Sequence, residues 1–348
     1  MSQRCESIER KQDTMKSIWR GIAVGTAAIA VLSPAAAAAT SAPVRPQPGP
    51  AAAGCKVGDT IRVGRDPRGV AVDPRTNTIY VANVQSATVS SVSGRTHKVT
   101  GTIQVSAFGL AVNPKTAMIY APNASEQEAA VSVLDARTLT VVTTVGVEDI
   151  PLFAAVNPRT NVIYVANDGA NTVSVIDGRT NQVTATIRVR KDPVGIAVNP
   201  KTNRIYVTSI LTRSVSVING RTNRIIASVP VGAGSSSVAV NPKTNRIYVN
   251  LGAKRIAVIN GKTNRVIARI RVSVRAGSIA VNPATNTIFA VLDHVRKVAV
   301  ISGRANKVTT TVRINSGLGE IAANPKTGRA YVTNPLRNTM QILAHCRG

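Results

Sequence analysis

Few side chains in this 348-residue chain are suited to nucleophilic or metal chemistry. It contains three histidines and three cysteines. His97, His294 and His345 lie far apart, there is no Cys-x-x-Cys motif, and no His/Cys cluster has the spacing of a zinc site. No arrangement of Ser, His and Asp can be given a catalytic geometry. We therefore predict no metal, no cofactor and no assigned catalytic residue, and an enzyme is the less favoured interpretation.

Acidic pairs are the remaining candidates for acid–base chemistry. Glu148–Asp149 and Glu126/Glu128 are close in sequence. Neighbouring acids on a loop are usually solvated charges with no catalytic role. The pairs alone therefore do not indicate a reaction.

Positive charge dominates the composition. The chain has 43 Lys and Arg against 16 Asp and Glu, a net charge of +27. A strongly basic surface attracts polyanions over long range. What this charge does depends on which elements of the fold carry it.

An internal repeat defines those elements. The Asn or Asp of an Ala-Val-Asn-Pro motif recurs every 40–44 residues, which indicates stacked or radially arranged supersecondary units. Its seven positions are Asp73, Asn113, Asn157, Asn199, Asn241, Asn282 and Asn324.

One repeat predicts four short strands. Residues 195–229 contain four runs rich in Val, Ile and Tyr, several of which alternate apolar with polar. Asn199–Asn203 and Asn219–Asn223 separate runs one and two, and three and four, with hairpin-turn chemistry. Four antiparallel strands in about 42 residues is a β-propeller blade. The predicted fold is all-β, a seven-bladed β-propeller.

One aromatic residue recurs on the second strand of every repeat. We expect these residues to pack between blades, although an aromatic ligand platform is the alternative. They are Tyr80, Tyr120, Tyr164, Tyr206, Tyr248, Phe289 and Tyr331.

These strands carry a family resemblance. Residues 331–334 read Tyr-Val-Thr-Asn, and residues 80–83, 164–167 and 206–209 are near copies. The chain resembles the YVTN-repeat β-propeller family over residues 57–343 and is similar to YncE-type secreted bacterial propellers. The resemblance implies an extracytoplasmic propeller with surface or binding roles, and transfers no catalytic residue. Related seven-bladed folds include lactonases and lyases, so a hydrolase or lyase with a site at the channel mouth is the alternative function.

The last repeat contains only three strands. Residues 59–63 match residues 185–189 of a complete repeat, so an N-terminal strand should complete the C-terminal blade. In that alignment Cys55 and Cys346 flank the turn that is cut in this blade. We predict a disulfide between them, and two free thiols are the alternative.

The N-terminal region differs from the repeats. Residues 1–39 read as a secretory signal peptide, with Met1 or Met15 as the start, and residues 40–54 as an Ala/Pro-rich spacer. Residues 55–348 form the propeller. We therefore expect a secreted, extracellular bacterial protein, without a transmembrane segment after cleavage and monomeric.

The repeat places nineteen basic residues in the turns between strands one and two and between strands three and four. Both kinds of turn emerge at the same end of a blade, so this face should bind anionic cell-wall or surface polymers, with nucleic acid a less favoured partner. The alternative is that these basic residues have no binding role and recur because duplication of one repeat also duplicated its charged turn residues. The candidate polyanion-binding residues are Arg95, Arg137, Arg179, Lys201, Arg221, Lys243 and Lys262.

The opposite face carries the loops that break the repeat. There we predict a shallow pocket at the mouth of the central channel, with ordinary loop variation as the alternative. Its candidate residues are Arg68, Phe108, Glu148, Asp149, Phe153, Lys191, Asp192, Arg275, His294 and Glu320.

Overall fold

The protein is a ring of seven four-stranded antiparallel sheets, seen in a computed structural model that describes residues 55–124, 129–232, 234–315, 319–346 and 348. This confirms the predicted seven-bladed β-propeller. The proposed signal peptide and spacer, and Glu126 and Glu128 of the second repeat, lie outside the described residues.

Strand order is the same in every blade, with the first strand innermost. Within the described residues the only helix is a 3-10 turn, Val84–Ser86, between the second and third strands of blade 1. The strands are β1 Lys56–Arg62; blade 1, β2 Pro67–Asp73, β3 Thr78–Asn83, β4 Thr88–Ser93, β5 Val99–Gln104; blade 2, β6 Ala111–Asn113, β7 Met118–Ala124, β8 Ala129–Asp135, β9 Thr140–Gly146; blade 3, β10 Pro151–Asn157, β11 Val162–Asn167, β12 Thr172–Asp177, β13 Gln182–Arg188; blade 4, β14 Pro193–Asn199, β15 Arg204–Ser209, β16 Ser214–Asn219, β17 Arg224–Pro230; blade 5, β18 Val238–Asn241, β19 Arg246–Asn250, β20 Arg255–Asn260, β21 Arg265–Arg271; blade 6, β22 Ala276–Asn282, β23 Thr287–Leu292, β24 Lys297–Ser302, β25 Lys307–Arg313; and blade 7, β26 Ile321–Ala323, β27 Ala330–Asn334, β28 Thr339–Ala344.

The core lies between blades and not within them. Seven apolar clusters each join the sheets of two neighbouring blades. Tyr164 of blade 3, for example, packs with Ile205 and Val207 of blade 4. The repeated aromatic side chains are all nearly inaccessible to solvent, at 0–2% exposure. This confirms the inter-blade packing and rules out a ligand platform at that position.

Blade 7 closes the ring by joining the two ends of the folded domain. Its strand order is β26–β27–β28 followed by β1, which pairs antiparallel with β28. Cys55 and Cys346 are disulfide-bonded across the cut turn, with their Cα atoms 4.1 Å apart. The predicted closure and the predicted disulfide are both confirmed, and β1 supplies the fourth strand of this blade.

Replacing both cysteines with serine should lower the free energy of unfolding by about 2–5 kcal/mol, because the bridge spans 291 residues and constrains the unfolded chain. Denaturant titration followed by circular dichroism measures the change, and the strand signal of the folded protein should persist. An unchanged midpoint would contradict the assignment.

A belt of asparagine side chains ties each blade to the next one. The Nδ2 of the Asn that ends or directly follows a first strand donates to the Oδ1 of an Asn with left-handed backbone in the following blade. These bonds are Asn113–Asn161 (2.6 Å), Asn157–Asn203 (2.7 Å), Asn199–Asn245 (2.8 Å), Asn241–Asn286 (2.7 Å) and Asn324–Asn77 (2.8 Å).

The belt is broken at two junctions. Between blades 1 and 2 the donor is replaced by Asp73 and the acceptor by Ala117, and the Arg75 guanidinium donates instead to the Pro114 carbonyl at 2.5 Å. Between blades 6 and 7 the donor Asn282 remains, but Gly328 occupies the acceptor position. The Nδ2 of Asn282 is buried without an acceptor among the described residues.

Restoring the acceptor with Gly328→Asn should stabilise the protein by about 1 kcal/mol, because it pairs a buried donor and restricts the unfolded chain. Gly328 already has φ +72°, and a Cβ added there meets no atom within 4 Å. The matched change Asn203→Gly removes an acceptor in blade 4 and should cost about 1–3 kcal/mol. Thermal unfolding compares the two, and shifts of the same sign would show that the belt does not carry this energy.

Candidate functional site

One face of the ring carries the turns between strands one and two and between strands three and four; we call it the turn face. Hydrogen bonds hold the two turns of a blade together, as in Gly94 N–H to Asn77 O (2.8 Å) and Gly220 N–H to Asn203 O (2.9 Å). All seven candidate polyanion-binding side chains lie in these turns and are exposed, as the repeat predicts. The topology therefore brings them to one surface.

Two acids on the turn face partly neutralise their neighbours. Asp135 pairs with Arg137 at 2.7 Å, and the hydrogen bonds from Arg137 lower the pKa of Asp135 to about 2. The backbone N–H of Arg179 and then its side chain lower the pKa of Asp177. Four other basic residues each lie two positions after an Asn whose Oδ1 accepts their backbone N–H, and no acid is beside them in sequence: Lys201, Arg221, Lys243 and Lys262. The turns of blades 4 and 5 therefore present several positive charges without an acid beside them.

The other face carries the links between blades and the loops between strands two and three; we call it the link face. Its charge is mixed. Four described acids lie around blade 3, acids of blades 1, 6 and 7 add to them, and many exposed basic residues lie between. In blades 4 to 7 these exposed basic residues include Arg190, Lys191, Arg213, Lys254, Arg255, Arg296, Lys297 and Arg337.

The channel mouth opens on the link face and holds a cavity of about 160 Å³. The size and polarity of the residue four positions before the repeat Asn or Asp, at the innermost strand, differ between blades. Five blades carry a small residue and two do not, which gives the ring a polar side and an aromatic side. In blade order the residues are Gly69, Gly109, Phe153, Gly195, Ser237, Ser278 and Glu320.

Glu320 is the acid of this cavity. Its side chain is surrounded by protein but lines the channel, so water still reaches part of it. Burial raises its pKa to about 7. The hydroxyl oxygens of Ser237 and Ser278 accept backbone N–H groups of the next blade, from Ile279 (3.1 Å) and Ile321 (3.3 Å), which fixes them at the wall. This arrangement is suited to binding a very small polar ligand.

The remaining channel-mouth candidates are only partly brought together. Phe108 and Phe153 pack edge to face, with ring centroids 5.6 Å apart. Arg68 and Arg275 are held in ion pairs with Asp66 (2.7 Å) and Asp293 (3.0 Å), so they support the wall of the mouth. Glu148 and Lys191 are exposed side chains of the links, away from the residues that line the cavity.

His294 does not supply an acid–base group to the cavity. It is exposed, with φ +61°, in the loop after β23, and no hydrogen bond or ion pair joins its ring to a described residue. No cluster of three or more His, Cys, Asp or Glu in the described part of the chain has the geometry of a metal site. Likewise, the described residues include no helix with the length and hydropathy to cross a bilayer.

Asp149 and Asp192 flank a carboxyl group that the sequence had not singled out. Asp168 is 3% exposed, and its Oδ1 has no hydrogen-bond partner among the described residues. Burial, then the charges of Asp192 and Asp149, raise its pKa to about 7. Asp293 occupies the same place in blade 6, but there the link supplies Arg275, where blade 3 has Ile150. The sequence signal that could have identified Asp168 is therefore the lack of an arginine at position 150, which is visible only when the links of different blades are compared.

Asp168→Asn should raise stability at pH 8. The folded-state pKa lies above that of the unfolded chain, so protonation stabilises the fold below about pH 4, and this contribution is lost as the pH rises through 7. The variant should flatten the dependence of the unfolding midpoint on pH between those values. Asp177→Asn, which removes a carboxyl of lowered pKa in the same blade, should give no gain at pH 8. A gain from both, or from neither, would contradict this account.

Comparison with known proteins supports the fold alone. No protein-family model and no curated protein matches the chain in sequence. Among solved structures, it is similar to Kuenenia stuttgartiensis hydrazine synthase, with 19% identity and a TM-score of 0.71 over 80% of this chain and 95% of that one. It is also similar to the Cps50 (Swd1) β-propeller domain of Myceliophteria thermophila, with 12% identity and a TM-score of 0.73 over 84% and 99%. At this identity the likeness carries no function across.

Proposed function

We propose that this propeller is an exported binding module whose turn face binds anionic polymers of the cell wall or cell surface. The observation that carries the proposal is the convergence of exposed Lys and Arg from neighbouring blades on one surface, with few acids among them. A repeated array of cations at similar spacing matches a polymer that presents a charge on each unit. Binding of this kind depends on charge density and weakens with salt.

Membership in the YVTN-repeat family is part of this proposal. It rests on the repeated Tyr-Val-x-Asn motifs, whose Tyr packs between blades and whose Asn is buried at the end of the second strand, as Asn83 and Asn167 are. Asn167 Nδ2 donates to Thr172 Oγ1 (3.0 Å) and Ser174 Oγ (2.8 Å), and Asn83 repeats this with Thr88 and Ser90. Export is proposed from the signal-like N-terminal sequence and agrees with a disulfide that an oxidising compartment would preserve.

The test reverses four uncompensated charges of blades 4 and 5, Lys201, Arg221, Lys243 and Lys262, to Glu. Affinity for a purified poly(glycerol phosphate) wall polymer should fall at least about tenfold, because attraction becomes repulsion over one continuous surface. Isothermal titration calorimetry at two salt concentrations measures the loss, and the wild-type affinity should drop steeply with salt.

A matched control reverses four exposed charges of the same blades on the link face, Lys191, Arg213, Lys254 and Arg255. It makes the same change in net charge and should weaken binding far less. Equal losses from both sets would show that the basic composition acts through net charge alone, without a dedicated face. Tighter binding to single-stranded DNA than to the wall polymer would make nucleic acid the partner and overturn the proposal.

A further inference from the structure

A large cavity opens on the turn face where the repeat is most disturbed. It has a volume of about 620 Å³ and lies where blades 6, 7 and 1 meet. In six blades the turn between strands three and four packs against the first turn, as Gly178 does against Asn161. In blade 7 that turn is cut, and Ala344, His345 and Cys346 line the cavity in its place.

The second cause of the cavity is Gly328. It stands where five other blades carry the asparagine acceptor of the belt, and it leaves that side-chain volume empty. The Asn282 amide, which would donate to that asparagine, is fully buried and has no acceptor among the described residues. Gly328 lines the cavity, whereas Asn282 is buried and is not among the lining residues, so the unpaired amide marks the missing side chain at position 328. Six of the seven donor positions are asparagines, and among these described residues only Asn282 leaves its Nδ2 unpaired.

The side chains around the cavity are basic. Arg95, Lys326, Arg329 and His345 line it, and the described lining residues include no acid. Arg329 is held in place, because its Nη1 donates to Gly94 O (2.8 Å) and contacts His97 Nε2 (2.9 Å), while His97 Nδ1 meets Asp59 Oδ2 at 2.5 Å. One guanidinium is thus fixed in advance at the wall, and Arg95 and Lys326 are exposed beside it.

We infer that this cavity binds a phosphate-bearing sugar or polyol unit, such as the end unit of an anionic polymer, with the phosphate held by Arg95, Lys326 and Arg329. Several cations without an acid favour a dianionic group over a single carboxylate. The volume lies within the range of small-ligand pockets and exceeds what a lone anion fills. This inference rests on the proposed polymer binding and names the unit that is recognised.

The test measures the binding of glycerol 3-phosphate by isothermal titration calorimetry, with inorganic phosphate, glucuronate and glycerol as comparison probes. Wild-type protein should bind glycerol 3-phosphate more tightly than glucuronate, and glycerol should not bind. Replacing Arg95 and Lys326 with Gln should weaken binding by roughly tenfold or more, since two charge-assisted contacts are lost. Glucuronate binding as tight as that of glycerol 3-phosphate would overturn the preference for phosphate.

The matched control replaces Arg159 and Arg221 with Gln. These residues hold the equivalent positions at the junction of blades 3 and 4, across the ring, where Asn161 stands at the position of Gly328 and accepts from Asn113 at 2.6 Å. The control should change the affinity by less than about twofold, because it removes the same charge from the same face without touching the cavity. Equal losses from both pairs would overturn the pocket.

Gly328→Asn provides a variant that leaves every charge in place. It should weaken glycerol 3-phosphate binding, because its side chain enters the cavity wall and pairs with Asn282; unchanged binding would contradict the inferred position. If the wall polymer binds with the expected salt dependence but glycerol 3-phosphate does not, the pocket is wrong and the proposed function stands. If neither binds, both fail.

Discussion

The structure depends on contacts between blades, because no blade has a core of its own. Each sheet is covered on both sides only by its neighbours, and the repeated aromatic side chain fills the gap from every blade to the next. A domain of nearly 300 residues is larger than one hydrophobic core usually serves. Dividing the core into seven interfaces removes that limit, but it makes every interface depend on the angle between two sheets.

Polar side chains near the turn face help to set that angle. Apolar packing is not directional, whereas the Asn–Asn bond fixes one donor against one acceptor. The acceptor asparagine also adopts the left-handed turn conformation, and its carbonyl receives the N–H of the second turn, as Asn203 does from Gly220. One residue type therefore fixes the turn, the blade and the junction together. This explains why the Asn-Pro and Thr-Asn elements recur so regularly in the sequence.

The same regularity decided what could be predicted from the sequence. The seven blades, the packing of the tyrosines, the closure by an N-terminal strand and the Cys55–Cys346 bridge all follow from matching one repeat against another. The site residues did not follow so directly. Arg275 looked like an open channel-mouth cation but is ion-paired to Asp293 in the loop after β23, as Arg68 is to Asp66 of its own link. Asp168 was not among the candidate site residues, because its distinction is the absence of an arginine in the link that faces it. Contacts of this kind depend on which loops approach one another in space, which periodicity does not report.

A ring built from a linear repeat must contain one junction where the two ends of the chain meet. In blade 7 the hairpin between strands three and four is divided between Cys55 and Cys346. The hydrogen bond by which this hairpin holds the first turn in the other six blades therefore cannot form there. A disulfide replaces the covalent connection of that hairpin, but not its volume or its hydrogen bonds. Glycine at position 328 enlarges the same gap, although asparagine would fit there and would pair a buried donor. Retaining an unsatisfied amide beside a basic cavity costs stability, and the ligand that we infer there would offset that cost through its contacts with the basic wall.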